Sequence, residues 1–248
     1  MKNLNILLLI ILAFGIQSCS DDYLSPTPVS AVSAEGYFTT ERELESGVIN
    51  MYDGLQGINS TASNQNHSTQ VEFYVTEMRS DNTRTKSSEG EPEQFENFTI
   101  ESTNGIVGDY YRSVYNTIYR ANIVLENVGV ASAEKAGAFE GEAKFVRALS
   151  YFNLVRLFGD IPLVTSVIGP EDTDIQFTRV STDEVYSLIV SDLETASANL
   201  DNSYITRASK AAAQGLLAKV HLTLGNYAEA KTLCEAVMDS GYELEANF

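Results

Sequence analysis

Four residues could serve as thiol or imidazole chemistry: Cys19, Cys234, His67 and His221. Neither histidine has a partner at metal-ligand spacing, so no zinc constellation is present. Two cysteines cannot build a disulfide framework. Carboxylates are plentiful, at 34 Asp plus Glu. No pair among them stands out as the acid and base that glycoside hydrolysis requires. No nucleophile motif appears. The sequence therefore predicts no catalytic residue, no metal and no cofactor, and the chain reads as a non-enzyme. The residue whose setting suggests covalent chemistry is Cys19, in "AFGIQSCSDDYL" (13–24).

Met1–Asn5 carries Lys2, and Ile6–Ile16 (ILLLIILAFGI) is apolar throughout. That length suits the central region of a signal peptide and is short for a bilayer span. Gln17 and the small Ser18 follow, then Cys19. The pattern resembles a bacterial lipobox, in which the cysteine becomes the acylated first residue of the mature chain. Gln17 departs from it, because that slot more often holds a small or aliphatic residue. Residues 1–18 are thus expected to be a lipoprotein signal peptide. Cys19 is expected to be the lipidation site, and 19–34, with Pro26 and Pro28, an extended lipidated tether. Acyl chains anchor at about 0.8 kcal/mol per buried CH₂. An ordinary secretory signal cut nearby and an N-terminal anchor helix are the alternatives.

The elements downstream must be built from 248 residues, of which 44% are apolar, enough for a substantial core. The formal net charge is −18. Residues 1–18 contribute only Lys2, so the remainder is one unit more negative. Such a surface repels phosphate backbones and argues against nucleic-acid binding and against electrostatic docking on anionic lipid.

Periodicity predicts an all-α chain. A first helix begins near Thr40, which forms a capping box with Glu43, and carries Leu44, Val48, Met51 and Leu55 on one face. Gly57–Thr103 is rich in Ser, Thr, Asn and Gln and reads as a long loop insertion, with "VEFYVTEM" a short helix or strand inside it. A second helix over about 106–128 bears Val114, Ile118, Ala121, Leu125 and Val128. A third, about 133–158, has a potential break at Gly137 or Gly141 and ends at Gly159. A fourth starts at Ser181, with Glu184 completing a capping box, and carries Val185, Ile189, Leu193, Ala196 and Leu200. Two more, 209–224 and 226–239, are split by Gly225, with Asn226 as a capping residue.

"LAKVHLTLGNYAEAKTLCEAV" resembles a tetratricopeptide repeat. Ala218 and Ala230 would let two helices approach, with Leu217 and Cys234 filling the space beside them. His221 occupies the slot of a tyrosine. Cys234 and His221 are thereby expected to be core fillers within a repeat-like pair over 209–240.

Five motifs in order, "FTTERELESGVINMYDGL", "YNTIYRANIVLENV", "EAKFVRALSYFNLVRLFGDIPLV", "EVYSLIVSDLETA" and "SKAAAQGLLAKVHLTLGNYAEA", resemble the N-terminal half of the SusD/RagB family. The resemblance covers about residues 19–248. It implies a cell-surface lipoprotein of Bacteroidetes, anchored in the outer membrane, that binds glycans or in some members peptides. Such a protein caps a SusC-type TonB-dependent transporter and is not an enzyme. Asp21 and Asp22, after the cysteine, resemble the export tag of such lipoproteins. Residues 35–248 would form the tetratricopeptide-like helical part of the fold. Family members are longer, which implies that the C-terminal part of the family fold is missing from this chain.

In that family loops carry the ligand. Sugars stack on aromatic faces, and there is no tryptophan here. Within 57–103 the candidate ligand residues are Phe73, Tyr74, Arg79, Asp81 and Asn82. Arg and Asp can each hold two sugar hydroxyls, and Asn82 can both donate and accept. Asn122, Arg147 and Arg156 read as structural. The competing reading is a helical-repeat protein-interaction scaffold, anchored in the outer membrane, with no small ligand. Both readings predict lipidation: Cys19→Ala should move the protein from the membrane to the soluble fraction and abolish acyl labelling, and an unchanged membrane fraction without label would refute the anchor.

Overall fold

A computed structural model describes residues 34–57, 68–86, 90–169, 172, 177–203 and 206–243. Cys19, the rest of 1–33, and His67 lie outside the described residues. The chain divides into two compact units, Met1–Thr39 and Thr40–Phe248. Of the first, Ala34–Thr39 is described: a helical turn, α1 (Ala34–Tyr37), with the Tyr37 and Phe38 rings edge to face at 4.9 Å.

The second unit is helical, as periodicity predicts. α2 (Glu41–Gly54) opens on the Thr40 capping box: the Thr40 hydroxyl accepts from the Glu43 amide while the Glu43 carboxylate accepts from the Thr40 amide at 2.8 Å. Leu44, Val48 and Met51 are fully buried. The stretch 57–103 holds more regular structure than its composition suggests. It contains α3 (Ser68–Thr76), a 3₁₀ turn at Glu77–Arg79, and α4 (Glu91–Glu96). Val71, Val75, Met78 and Phe95 are buried and supply the apolar anchors that a count of polar residues overlooks. Then come α5 (Gly105–Asn127), α6 (Ala136–Phe158), α7 (Thr182–Asn199), α8 (Lys210–Leu224) and α9 (Tyr227–Met238).

α6 is the central helix. Its buried residues, among them Phe139, Ala143, Val146, Tyr151 and Leu154, lie on all sides. It runs unbroken through Gly137 and Gly141. Gly141 serves close approach instead: a Cβ there would meet Leu200 Cγ at 3.0 Å. Gly54 does the same for α2 and α5. A Cβ would meet Arg120 Cδ at 3.1 Å, and the Gly54 carbonyl accepts from the Thr117 hydroxyl at 2.8 Å.

Past Gly159 (φ 69°) the chain forms a short antiparallel pair, β1 (Ile161–Pro162) with β2 (Arg179–Val180), in the register Ile161 to Val180. The strap 162–166 is held by the side chains of α5 and α6. Tyr115 donates to Pro162 O at 2.7 Å. The Tyr151 hydroxyl donates to Val164 O (2.8 Å) and accepts from Val164 N (2.6 Å). Burial pushes that phenol up to about 12. Asn122 donates to Val164 O and Ser166 O, each at 3.1 Å. Arg147, 6% exposed, makes a two-pronged ion pair with Asp192 of α7 (2.8 and 2.9 Å), and its Nη1 donates to Asn122 Oδ1 at 2.9 Å. Within "FVRALSYFNLVRLFGDIPLV" (145–164), Tyr151 of the first half thus binds down Val164 at the end of the second.

The α8–α9 hairpin departs from expectation. Leu217, Ala218 and Ala230 are buried at the crossing, as size matching predicts. Cys234 is exposed and His221 is half-buried, so neither fills a core. Among the described elements α9 lies chiefly against α8, and its outer face, with Tyr227 and Met238, is open. Asn226 occupies the cap position of α9, but its side chain makes no capping bond; its amide lies 3.3 Å from His221 Nδ1.

Removing one partner of a buried ion pair costs about 3–5 kcal/mol, because the other charge is left uncompensated. Arg147→Met should therefore lower the melting temperature by roughly 6–20 °C for a chain of this size. Adding Asp192→Leu should recover part of that loss in circular-dichroism melts; no recovery would mean that the charge is not the cause.

Candidate functional site

A cleft of about 340 Å³ opens between α3, the α4–α5 connection and α6, lined by Glu72, Arg79, Phe98, Tyr110, Asn153 and Arg156. An adjoining depression of about 320 Å³ shares Glu72, Tyr110, Asn153 and Arg156 and reaches Lys219 of α8.

Phe98 dominates the rim. α4 ends with Asn97 as its C-cap, and the next residue, Phe98, takes the left-handed conformation (φ 56°). Thr99 N donates to Gln94 O at 2.9 Å and Phe98 N to Phe95 O at 3.4 Å. That pair of bonds is a Schellman motif, whose left-handed position is usually glycine. Phe98 is the one non-glycine residue with positive φ among the described residues, and it is 66% exposed. Left-handed backbone costs a residue with a Cβ roughly 1–2 kcal/mol, and so exposed a ring recovers little by burial.

The connection behind Phe98 is clamped. Asn104 caps α5, accepting from Ile106 N at 3.0 Å, and donates to Glu91 O and Gln94 Oε1. Gly105 N donates to Glu91 Oε1 at 2.6 Å, and Glu101 N to Gln94 Oε1 at 3.1 Å. The aromatic ring is thus carried on a braced turn.

Two guanidinium groups share the cleft. Arg79, from the 3₁₀ turn, has its guanidinium carbon 5.9 Å from the Phe98 centroid, a cation–π geometry. Arg156 lies over the Phe152 ring at 4.2 Å; its Nε donates to Phe152 O and its Nη2 to Asn153 Oδ1 at 2.7 Å. Tyr110, 1% exposed, belongs to the buried wall. Burial raises its pKa above the ordinary phenol value, and the Glu72 carboxylate adds to the rise.

Of the residues singled out from sequence, Arg79 lines this cleft. Phe73 is on α3 and 43% exposed, and Tyr74 packs half-buried against the core. Asp81 and Asn82 lie on the exposed turn after the 3₁₀ segment, where Asn82 N donates to Ser80 Oγ at 3.3 Å. None of these four lines the cleft. Phe98 was not foreseen: nothing in "ENFTIESTN" marks a left-handed phenylalanine. Arg156, read as structural, is both structural and part of the lining. Among the described residues no group of three or more His, Cys, Asp or Glu is placed to hold a metal. No helix among them is long and apolar enough to cross a membrane.

An exposed aromatic face flanked by guanidinium groups is equipped to hold a polyhydroxylated ring, stacking on one side and donating hydrogen bonds at the edge. Residues 22–222 match a SusD-like family model described as "starch-binding associating with outer membrane". The chain belongs to the SusD-like family. SusD-like protein P2 of Formosa agariphila is 29% identical over 235 residues, which is 93% of this chain and 45% of that protein. A SusD-like protein of Bacteroides ovatus is 25% identical over 83% of this chain and 36% of its own length. Among solved structures, a SusD homolog from Bacteroides thetaiotaomicron superposes with a TM-score of 0.73 at 22% identity, covering 90% of this chain and 44% of that one. A laminarin-binding SusD-like protein gives 0.70 at 27% identity, covering 84% of this chain and 47% of that one. The chain thus spans about half the length of relatives such as P2.

The strained ring yields a direct expectation. Phe98→Gly should raise stability in denaturant titrations by about 1 kcal/mol, by relieving the left-handed backbone; a loss of stability would show that the ring is a packing residue.

Proposed function

We propose that this SusD-like chain captures glycan at the cell surface and delivers it to a SusC-type TonB-dependent transporter in the outer membrane. It is tethered there through acylated Cys19 and leaves the glycan chemically unchanged. The observation that carries the reading is Phe98, an exposed aromatic ring held at a backbone cost beside Arg79 in a cleft. A residue that lowers stability and gains little burial is explained by what it binds. The family description, starch-binding and associated with the outer membrane, supports the same reading. The laminarin-binding relative makes laminari-oligosaccharide the first probe. Phe73, Tyr74, Asp81 and Asn82, on and just after α3, are proposed as contacts for a longer ligand outside the cleft.

The scaffold reading has its own support: Leu222, Tyr227 and Met238 leave an apolar face on α8–α9, at 58%, 69% and 66% exposure. The two readings separate on binding. Titration calorimetry of the full chain in detergent against a panel of glycans and peptides should show saturable glycan binding that Phe98→Ala weakens by about tenfold or more, the equivalent of about 1.4 kcal/mol. The recovered glycan should keep its length on chromatography. Saturable binding of peptide alone would shift the ligand class. Binding of a membrane protein partner with no glycan or peptide response would support the scaffold.

A further inference from the structure

Sixteen Lys and Arg stand against 34 Asp and Glu in this chain. On such a surface a cation readily finds a carboxylate. Arg112, Arg120, Lys135, Lys144, Arg147, Arg207 and Lys231 all do. Others, such as Arg42, Arg179 and Lys210, form none among the described residues, and neither do Arg79, Arg156 and Lys219, but these last three come together in the lining of the cleft and its adjoining depression. The one carboxylate in either lining is Glu72. Three cations thus face one anion in a protein whose net charge is −18.

Arg156 is also fixed before any ligand arrives. Its Nε and Nη2 are spent on Phe152 O and Asn153, and its plane lies on the Phe152 ring, while Nη1 makes no hydrogen bond among the described residues. A pre-set guanidinium loses little rotamer freedom on binding an anion. The Arg79 guanidinium carbon is 5.9 Å from the Phe98 centroid, so a sugar that reaches this ring is also within reach of a guanidinium.

We infer that the glycan is acidic, a saccharide bearing carboxylate or sulfate groups that Arg79, Arg156 and Lys219 recognise. The inference rests on the glycan-binding reading of the same cleft. Neutral sugars need no fixed charge, whereas this lining sets three cations against one carboxylate, beside the neutral Thr76, Asn153 and Ser150.

The test compares three oligosaccharides of equal length on the full chain in detergent: oligogalacturonate, a sulfated galactan fragment and neutral laminari-oligosaccharide. At about 0.15 M salt the Debye length is about 8 Å, so the distant acidic surface is screened and the cleft's own charges decide. At least one acidic ligand should bind about tenfold or more tightly than the neutral one, the scale of a charge-assisted hydrogen bond. Which of the two binds better assigns carboxylate or sulfate. The ratio of acidic to neutral affinity should fall several-fold in Arg79→Gln and Lys219→Gln, and rise in Glu72→Gln. Neutral binding as tight as acidic binding, or a ratio that these variants leave unchanged, overturns the acidic assignment while glycan capture stands. Binding of none of the three, together with no response in the wider glycan and peptide panel, overturns both.

Discussion

The Arg147–Asp192 ion pair is the constraint on which the helical unit depends. Both side chains are nearly out of water, at 8% and 3% exposure, so neither charge can be left alone. Asp192 is on α7, Arg147 on α6, and Asn122, which accepts from Arg147, on α5. Sliding any of the three helices by one turn would strand a charge or an amide in the core. Apolar packing alone would tolerate several registers; this network tolerates one. It also reaches beyond the helices, since Asn122 and Tyr151 hold the strap that follows α6.

The cleft inherits its geometry from that register. Arg147 and Arg156 are on the same helix, and nine residues at about 100° each place them on opposite faces. Fixing Arg147 toward α5 and α7 therefore turns Arg156 toward α3. The aromatic layer of Tyr111, Tyr115, Tyr151 and Phe158, with centroid separations of 4.7–6.4 Å, joins α5 to the C-terminal half of α6. The other wall is independent of this. Asn104, Glu91 and Gln94 brace the turn that carries Phe98, and Arg156, lining the same cleft, is held by Phe152 O and Asn153. A ligand that meets Arg156 therefore spends little energy on ordering that side chain.

The α8–α9 hairpin shows where pattern reading overreaches. The size matching of Leu217, Ala218 and Ala230 is met at the helix crossing, because those residues face one another whatever surrounds the pair. The extension to Cys234 and His221 failed, because a repeat slot becomes core only when a neighbour covers it, and among the described elements none covers Cys234. In 57–103 the "VEFYVTEM" stretch is the short helix that sequence allowed, while polar composition hides the second helix, Glu91–Glu96, which Phe95 docks.

What the sequence determined by itself was local. The Thr40 and Ser181 caps, the buried stripe of Val185, Ile189, Leu193 and Ala196, and the stop at Gly159 all arise between residues a few positions apart. The order of motifs was equally legible, and with it the SusD-like family. Tertiary structure decided the cleft. Arg79 could be named from sequence, but its partners are 19 and 77 residues away, at Phe98 and Arg156. Nor does any local rule put a phenylalanine in a left-handed turn, since the local energy opposes it. Helix signals follow from hydrogen bonds that the chain makes with itself at short range, whereas a site assembled from three separate segments exists only once the buried charges and the core have set how those segments pack.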